Sequence, residues 1–65
     1  MDIVLVGAGN VANQIAKTFQ KKNISIKQIY SRTLESAQKL AKEINVSFTN
    51  NLAEIDRQAD VYFYA

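Results

Sequence analysis

The sequence predicts an α/β fold, a parallel sheet with strand order 3-2-1-4 and crossover helices, which is the first half of a doubly wound architecture. Three observations predict it. Short apolar runs alternate with amphipathic helical stretches from the first residues onward. The connections have the length of crossover units with right-handed topology, not of hairpins. The only two glycines of the chain, Gly7 and Gly9, both stand at the first strand-to-helix junction.

Ile3-Val4-Leu5-Val6 is a continuous apolar run ended by Gly7. A run without alternation suits a strand buried on both faces. From Asn10 to about Lys22 the apolar residues Val11, Ala12, Ile15, Ala16 and Phe19 recur at steps of three and four, which predicts a helix with one apolar stripe. Lysines collect in its last turn, where the helix dipole favours cations, and Asn23 can stop it. Ile24 to Tyr30, rich in β-branched residues, reads as the second strand.

Thr33 is placed to cap a second helix, with Glu35 in its first turn. Leu34, Ala37, Leu40, Ala41 and Ile44 form the apolar face of that helix, and Asn45 can end it. Val46-Ser47-Phe48 is a short third strand. Asn51 opens a brief helix with Glu54 in capping-box register. Val61-Tyr62-Phe63-Tyr64 is the fourth strand, its aromatic side chains read as core.

Composition narrows the chemistry. The chain has 65 residues, 48% apolar and 22% charged, enough for one domain at the small end of what sustains a core. With neither cysteine nor histidine, it lacks the usual transition-metal ligands, disulfides and the Ser-His and Cys-His pairs. The net charge of +2 is carried by scattered lysines (Lys17, Lys21, Lys22, Lys39 and Lys42) at positions that face solvent on helices. A nucleic-acid partner would need a dense basic face, so none is expected. The apolar run at the N-terminus is too short for a signal sequence or a membrane span, so no membrane partner is expected and a cytoplasmic location is the default.

Gly7-x-Gly9-x-x-Ala12 follows a predicted strand and opens a predicted helix, the context that lifts this spacing above chance. Each position has a physical task in a Rossmann-type dinucleotide-binding domain. Gly7 supplies the tight turn. Gly9 lets a pyrophosphate approach the backbone, and the small Ala12 lets helix and strand pack closely. The N–H groups near Asn10 and Val11 lie at the helix N-terminus and can bind phosphate oxygens. The Asn10 side chain is read as the helix cap. Gly7, Ala8, Gly9, Asn10 and Val11 are therefore the candidate pyrophosphate turn.

Domains that bind NAD place Asp or Glu about 20 residues after this turn, where it holds the ribose 2′-hydroxyl. Here that place is taken by Tyr30-Ser31-Arg32-Thr33, and no carboxylate occurs between Asp2 and Glu35. Four features point instead to a 2′-phosphate, and hence to NADP(H). A repelling acid is missing, Arg32 can form a bidentate charge-assisted contact, Ser31 and Thr33 offer hydroxyls, and the second helix begins here with its positive end. Tyr62, Phe63 and Tyr64 read as core and not as a stacking platform. Glu54 and Asp56 read as a helix start and not as a catalytic pair. The missing acid also disfavours a methyltransferase-like nucleoside site.

In these residues the chain resembles the Rossmann-like N-terminal domain of the deazaflavin-dependent NADP oxidoreductase-like family, related to pyrroline-5-carboxylate reductase and the 6-phosphogluconate dehydrogenase superfamily. The resemblance rests on Gly-Ala-Gly-Asn-Val-Ala after Ile-Val-Leu-Val and on Tyr-Ser-Arg-Thr followed by Glu-Ser-Ala and a Leu-Ala helix. It covers nearly the whole chain. It implies that Gly7, Gly9, Asn10 and Val11 match the pyrophosphate turn and that Ser31, Arg32 and Thr33 match the 2′-phosphate site. It further implies an oxidoreductase that moves hydride between NADP(H) and a small substrate, unidentified here, with catalytic residues outside these 65. The family's helical C-terminal domain, which completes the substrate pocket and often dimerises, has no counterpart in the sequence.

Val61 to Tyr64 would then form a bare apolar edge, an association hazard. The expectation is a fragment of a longer protein, or a chain whose edge a partner or a second copy covers. A non-catalytic nucleotide-sensing or partner-binding module is the alternative function.

Overall fold

A computed structural model describes residues 2–65. Strand β1 (Asp2–Val6) leads into helix α1 (Asn10–Lys21), strand β2 (Ser25–Tyr30), helix α2 (Leu34–Ile44), strand β3 (Ser47–Thr49), a single 3-10 turn (Leu52–Glu54) and strand β4 (Val61–Tyr64). All strand pairs are parallel and the order is β3-β2-β1-β4, the expected partial Rossmann fold. Boundaries shift by about a residue from expectation. The third strand moves forward to Ser47–Thr49, because Val46 turns inward to pack against the core beside α2.

Both helices end where the sequence stops them. Asn23 and Asn45 adopt φ of 57° and 58°, a left-handed conformation that asparagine tolerates better than most residues. Val46 N–H closes the second stop on the Ala41 carbonyl at 3.1 Å.

The helices cover one face of the sheet. Ala12 and Ala16 from α1, and Ala37, Leu40, Ala41 and Ile44 from α2, are buried against Leu5, Ile26 and Ile29. Alanines at the contact let the helix backbones approach the strands, and the larger Leu5, Ile29 and Leu40 fill the space between. Ile26 and Ile29 are three residues apart and yet share this core. The pairing of β2 with β1 explains it, because Ile3 pairs with Ile26 while Val4 pairs with Gln28. Lys27 is thus an extra residue, a bulge that resets the alternation so that both isoleucines point inward.

Two residues assigned to the apolar stripes do not join them. Val11 is 61% exposed and Leu34 is 46% exposed. Both belong to the first turn of a helix, and the buried cluster begins one residue later in α1, at Ala12, and one turn later in α2, at Ala37. The aromatic residues of β4 also depart from expectation. Only Tyr62 is half-buried. Phe63 packs edge-to-face on Phe19 with ring centroids 5.7 Å apart, but stays 38% exposed, and Tyr64 is 77% exposed. The strand pairs only with β1, so its outer side chains meet no further strand.

The opposite face is held by polar contacts to the segment after the 3-10 turn. Gln28 donates through Nε2 to the Glu54 carbonyl at 3.1 Å and accepts the Asp56 N–H at 2.9 Å. The Tyr62 hydroxyl donates to the Asp56 carbonyl. Val4 lies in register between Gln28 and Tyr62 and is fully buried. Lys27 Nζ meets the Asp56 carboxylate at 2.7 Å. Glu54 does not close the box on Asn51 directly. The Thr49 hydroxyl intervenes, accepting the Asn51 N–H at 3.0 Å and donating to Glu54 Oε1 at 3.1 Å, while Asn51 Oδ1 caps the Ala53 N–H at 2.9 Å.

The Lys27–Asp56 pair makes stability depend on pH. The hydrogen bond from Lys27, aided by the Gln58 N–H, holds the Asp56 carboxyl below its ordinary range, and the same bond raises Lys27. A lowered carboxyl stabilises the fold above its unfolded value and loses that contribution as pH falls through the folded one. A raised ammonium does so below its unfolded value and loses it as pH rises through the folded one. Substituting Asp56→Asn should therefore lower the denaturation midpoint most at neutral pH. The gap to the wild type should narrow towards acid and, separately, towards strong alkali, as measured by denaturant titration across pH.

Candidate dinucleotide-binding site

The strands end together at one edge of the sheet, and the site is built there. Gly7 N–H donates to the Tyr30 carbonyl at 2.7 Å, tying the exit of β1 to the end of β2. Gly7 has φ of +131°, a conformation that side-chain-bearing residues rarely adopt. A Cβ built on it would also lie 2.8 Å from the Ala65 carbonyl oxygen, just past β4. Its glycine is therefore demanded from inside the protein.

Gly9 is different. Its φ of −82° and ψ of −165° are open to any residue, and a Cβ added there would meet nothing within 4 Å. Neither backbone strain nor packing within the chain asks for a glycine at this position. What a side chain would occupy is open space in front of the α1 N-terminus, where a phosphate needs to come close.

The α1 N-terminus is open as well. Gly9 is the cap residue and no side chain caps the helix. Asn10 is the first helical residue, where the periodicity starts the helix, but it is not the cap its side chain was read as: the cap position falls to Gly9. Its first turn carries no acid. Thr33 does occupy the cap position of α2, but its side chain makes no capping bond. Its N–H is instead taken by Ser31 Oγ at 3.3 Å. Both helices that start at this edge consequently present uncapped N–H groups, which carry partial positive charge. The 3-10 turn, by contrast, is capped by Asn51.

A cleft of about 540 Å³ runs along the strand ends and brings Gly7 together with Ser31, Arg32 and Thr33. Val6, Tyr30 and Tyr64, one cross-strand row, line it with Leu52 from the 3-10 turn. No acidic side chain lines it. Ser31 is half-buried, with its N–H on the Thr49 carbonyl at 3.2 Å, while Arg32 and Thr33 are exposed. Among the described residues Arg32 has no ion-pair partner. Ala8, Gly9 and Asn10 line a neighbouring groove of about 550 Å³ between α1 and α2, and Val11 borders a small apolar recess beside Phe19 and Phe63. The predicted residues thus gather at one edge of the fold but in more than one depression.

Sequence reasoning passed over Leu52, read Tyr64 as core, and did not single out Asn13. The first two reach the cleft only through the sheet topology. Asn13 Nδ2 donates to the carbonyls of Gly9 at 3.1 Å and Ala8 at 3.5 Å, bracing the turn from α1. Its position four residues after Gly9 was the available signal.

A glycine turn between a central parallel strand and an uncapped helix defines a nucleotide-binding α/β domain of Rossmann type. Residues 2–65 match the family described as NADP oxidoreductase coenzyme F420-dependent, and the chain belongs to that family. A candidate NADP oxidoreductase from Bacteroides fragilis has a solved structure that superposes with a TM-score of 0.94 at 44% identity, over 98% of this chain and 25% of that one. The structure of GenD2 from gentamicin A biosynthesis, in complex with NAD, superposes with a TM-score of 0.85 at 17% identity, over all of this chain and 20% of that one, a likeness of fold. The glutamyl-tRNA reductase of Methanocaldococcus jannaschii is 39% identical across 98% of this chain. The chain spans 17% of that reductase.

The two glycines should separate in experiment. Gly7→Ala should destabilise the fold by about 1–3 kcal/mol through strain and the clash with Ala65. Gly9→Ala should change stability by less than about 1 kcal/mol and yet weaken binding of a dinucleotide by about tenfold or more. Denaturant unfolding and ligand titration of the same two variants read both effects.

Proposed function

We propose that this chain is the NADP(H)-binding portion of an oxidoreductase that transfers hydride between a nicotinamide cofactor and a small substrate. The observation that carries the cofactor choice is the cleft in which Arg32, unpaired among the described residues, stands with Ser31 and Thr33 beside Gly7 and no acidic side chain. An Asp or Glu at this place would repel a 2′-phosphate, whereas a guanidinium can grip it through two parallel hydrogen bonds. Family membership supports the same reading.

The residues fit such a cofactor on the structure's own terms. The open space before Gly9 and the free N–H groups at the start of α1 suit a pyrophosphate. Ser31, Arg32 and the uncapped start of α2 would hold the 2′-phosphate, and the row of Val6, Tyr30 and Tyr64 would border the adenosine half. When bound, the cofactor supplies the hydride. The part played by this chain is to bind and orient the adenosine end, so that the reactive end has a fixed direction from the strand edge.

The test compares NADPH and NADH on the intact protein by direct titration. NADPH should bind more tightly. Arg32→Ala should weaken NADPH by about 1–3 kcal/mol and leave NADH nearly unchanged. Equal or tighter binding of NADH by the wild type would overturn the 2′-phosphate reading, and parallel losses for both cofactors would assign Arg32 a structural role.

A further inference from the structure

We infer that Asn13 is a positioning residue for the pyrophosphate, acting through the backbone of the glycine turn. The inference rests on the cofactor reading above and adds a residue outside the glycine motif itself. Asn13 lies on α1, half-buried, four residues after Gly9, and lines the same groove as Ala8, Gly9 and Asn10. Its side-chain amide donates to two consecutive carbonyls, Ala8 at 3.5 Å and Gly9 at 3.1 Å. The Gly9 carbonyl also accepts the Asn13 backbone N–H at 2.9 Å, so one residue grips it twice.

The consequence follows from peptide geometry. Every described peptide bond is trans, and in a trans peptide the C=O and the following N–H point in opposite directions. Holding the Ala8 carbonyl towards Asn13 directs the Gly9 N–H away from it. Holding the Gly9 carbonyl does the same for the Asn10 N–H. Neither N–H has an acceptor among the described residues. Two successive N–H groups turned outward form a concavity of the kind that binds anions. The amide also engages the negative end of the Ala8 peptide dipole, which has no other partner among the described residues, and adds a second bond to the Gly9 carbonyl that the helix already holds.

The orientation of the amide is chemically fixed. Both partners are carbonyl oxygens, which only the NH₂ end can satisfy. The backbone at Gly9 makes the brace consequential, because a residue without Cβ has the widest choice of alternative conformations. The turn that must leave room for a phosphate is therefore the one most in need of an external hold, and Asn13 supplies it from α1.

The experiment measures NADPH and adenosine 2′-monophosphate on the intact protein, with Asn13→Ala and Asn13→Asp. Adenosine 2′-monophosphate carries the 2′-phosphate but no pyrophosphate, so it reports the Arg32 end alone. Asn13→Ala should weaken NADPH about fivefold, the effect of one or two net hydrogen bonds. Asn13→Asp keeps the shape, loses the donor and sets a carboxylate against the two carbonyls, so it should weaken NADPH further. Adenosine 2′-monophosphate should bind all three proteins equally. Unchanged NADPH binding in both variants would overturn the inference, as would equal losses for the two ligands, which mark a merely structural role. Failure of the wild type to bind NADPH would instead overturn the cofactor reading on which the inference stands.

Discussion

Three strand ends converge on a residue that cannot carry a side chain. The Gly7 N–H is held by the Tyr30 carbonyl from β2, and the space for its Cβ is filled by the Ala65 carbonyl beyond β4. The positive φ that results turns the chain out of β1 and aims α1 away from the edge. The rest of the site depends on this convergence. It places Gly9 in open space, leaves the start of α1 uncapped, and sets the loop after β2 beside the exit of β1. A side chain at Gly7 would push these ends apart before it touched any ligand.

The two faces of the sheet are held by different physics. On the helical face, small residues of α1 and α2 close on Leu5, Ile26 and Ile29, and burial of apolar area supplies the stabilisation. On the other face, Gln28, Tyr62 and Lys27 hold the segment around Asp56 by hydrogen bonds and one ion pair. That segment carries Leu52 to the wall of the cleft. The polar clamp is thus the means by which a short 3-10 turn, with little apolar area of its own, is fixed near the candidate ligand.

Much of this was legible in the sequence, for reasons that are local. Element order follows from periodicity, and the helix ends from Asn23 and Asn45. The glycine turn follows from the place of the only two glycines. Ser31, Arg32 and Thr33 drew attention because they stand where a carboxylate is expected, and they line the cleft at the strand ends. What was not legible depends on pairing across the sheet. The bulge at Lys27 appears only when β2 is laid against β1, and without it Ile26 and Ile29 would face opposite ways. The Gln28 contacts to residues 54 and 56 join segments far apart in the chain. The exposure of Val11 and Leu34 reflects where each helix begins relative to the buried cluster, which an apolar stripe cannot reveal. Asn10 read as a cap because asparagine favours that position, but Gly9 takes it and Asn10 is already helical.

We propose that a dinucleotide phosphate sits against Gly9 and Asn10 with its adenosine end beside Arg32. Site-resolved amide chemical shifts recorded while NADPH is titrated into the intact protein test it most directly. The largest changes are expected at Gly9, Asn10 and residues 31–33, at both uncapped helix starts. Changes concentrated instead around Lys17, Lys39 and Glu43, in the groove between the helices, or no change at the glycine turn, would contradict it.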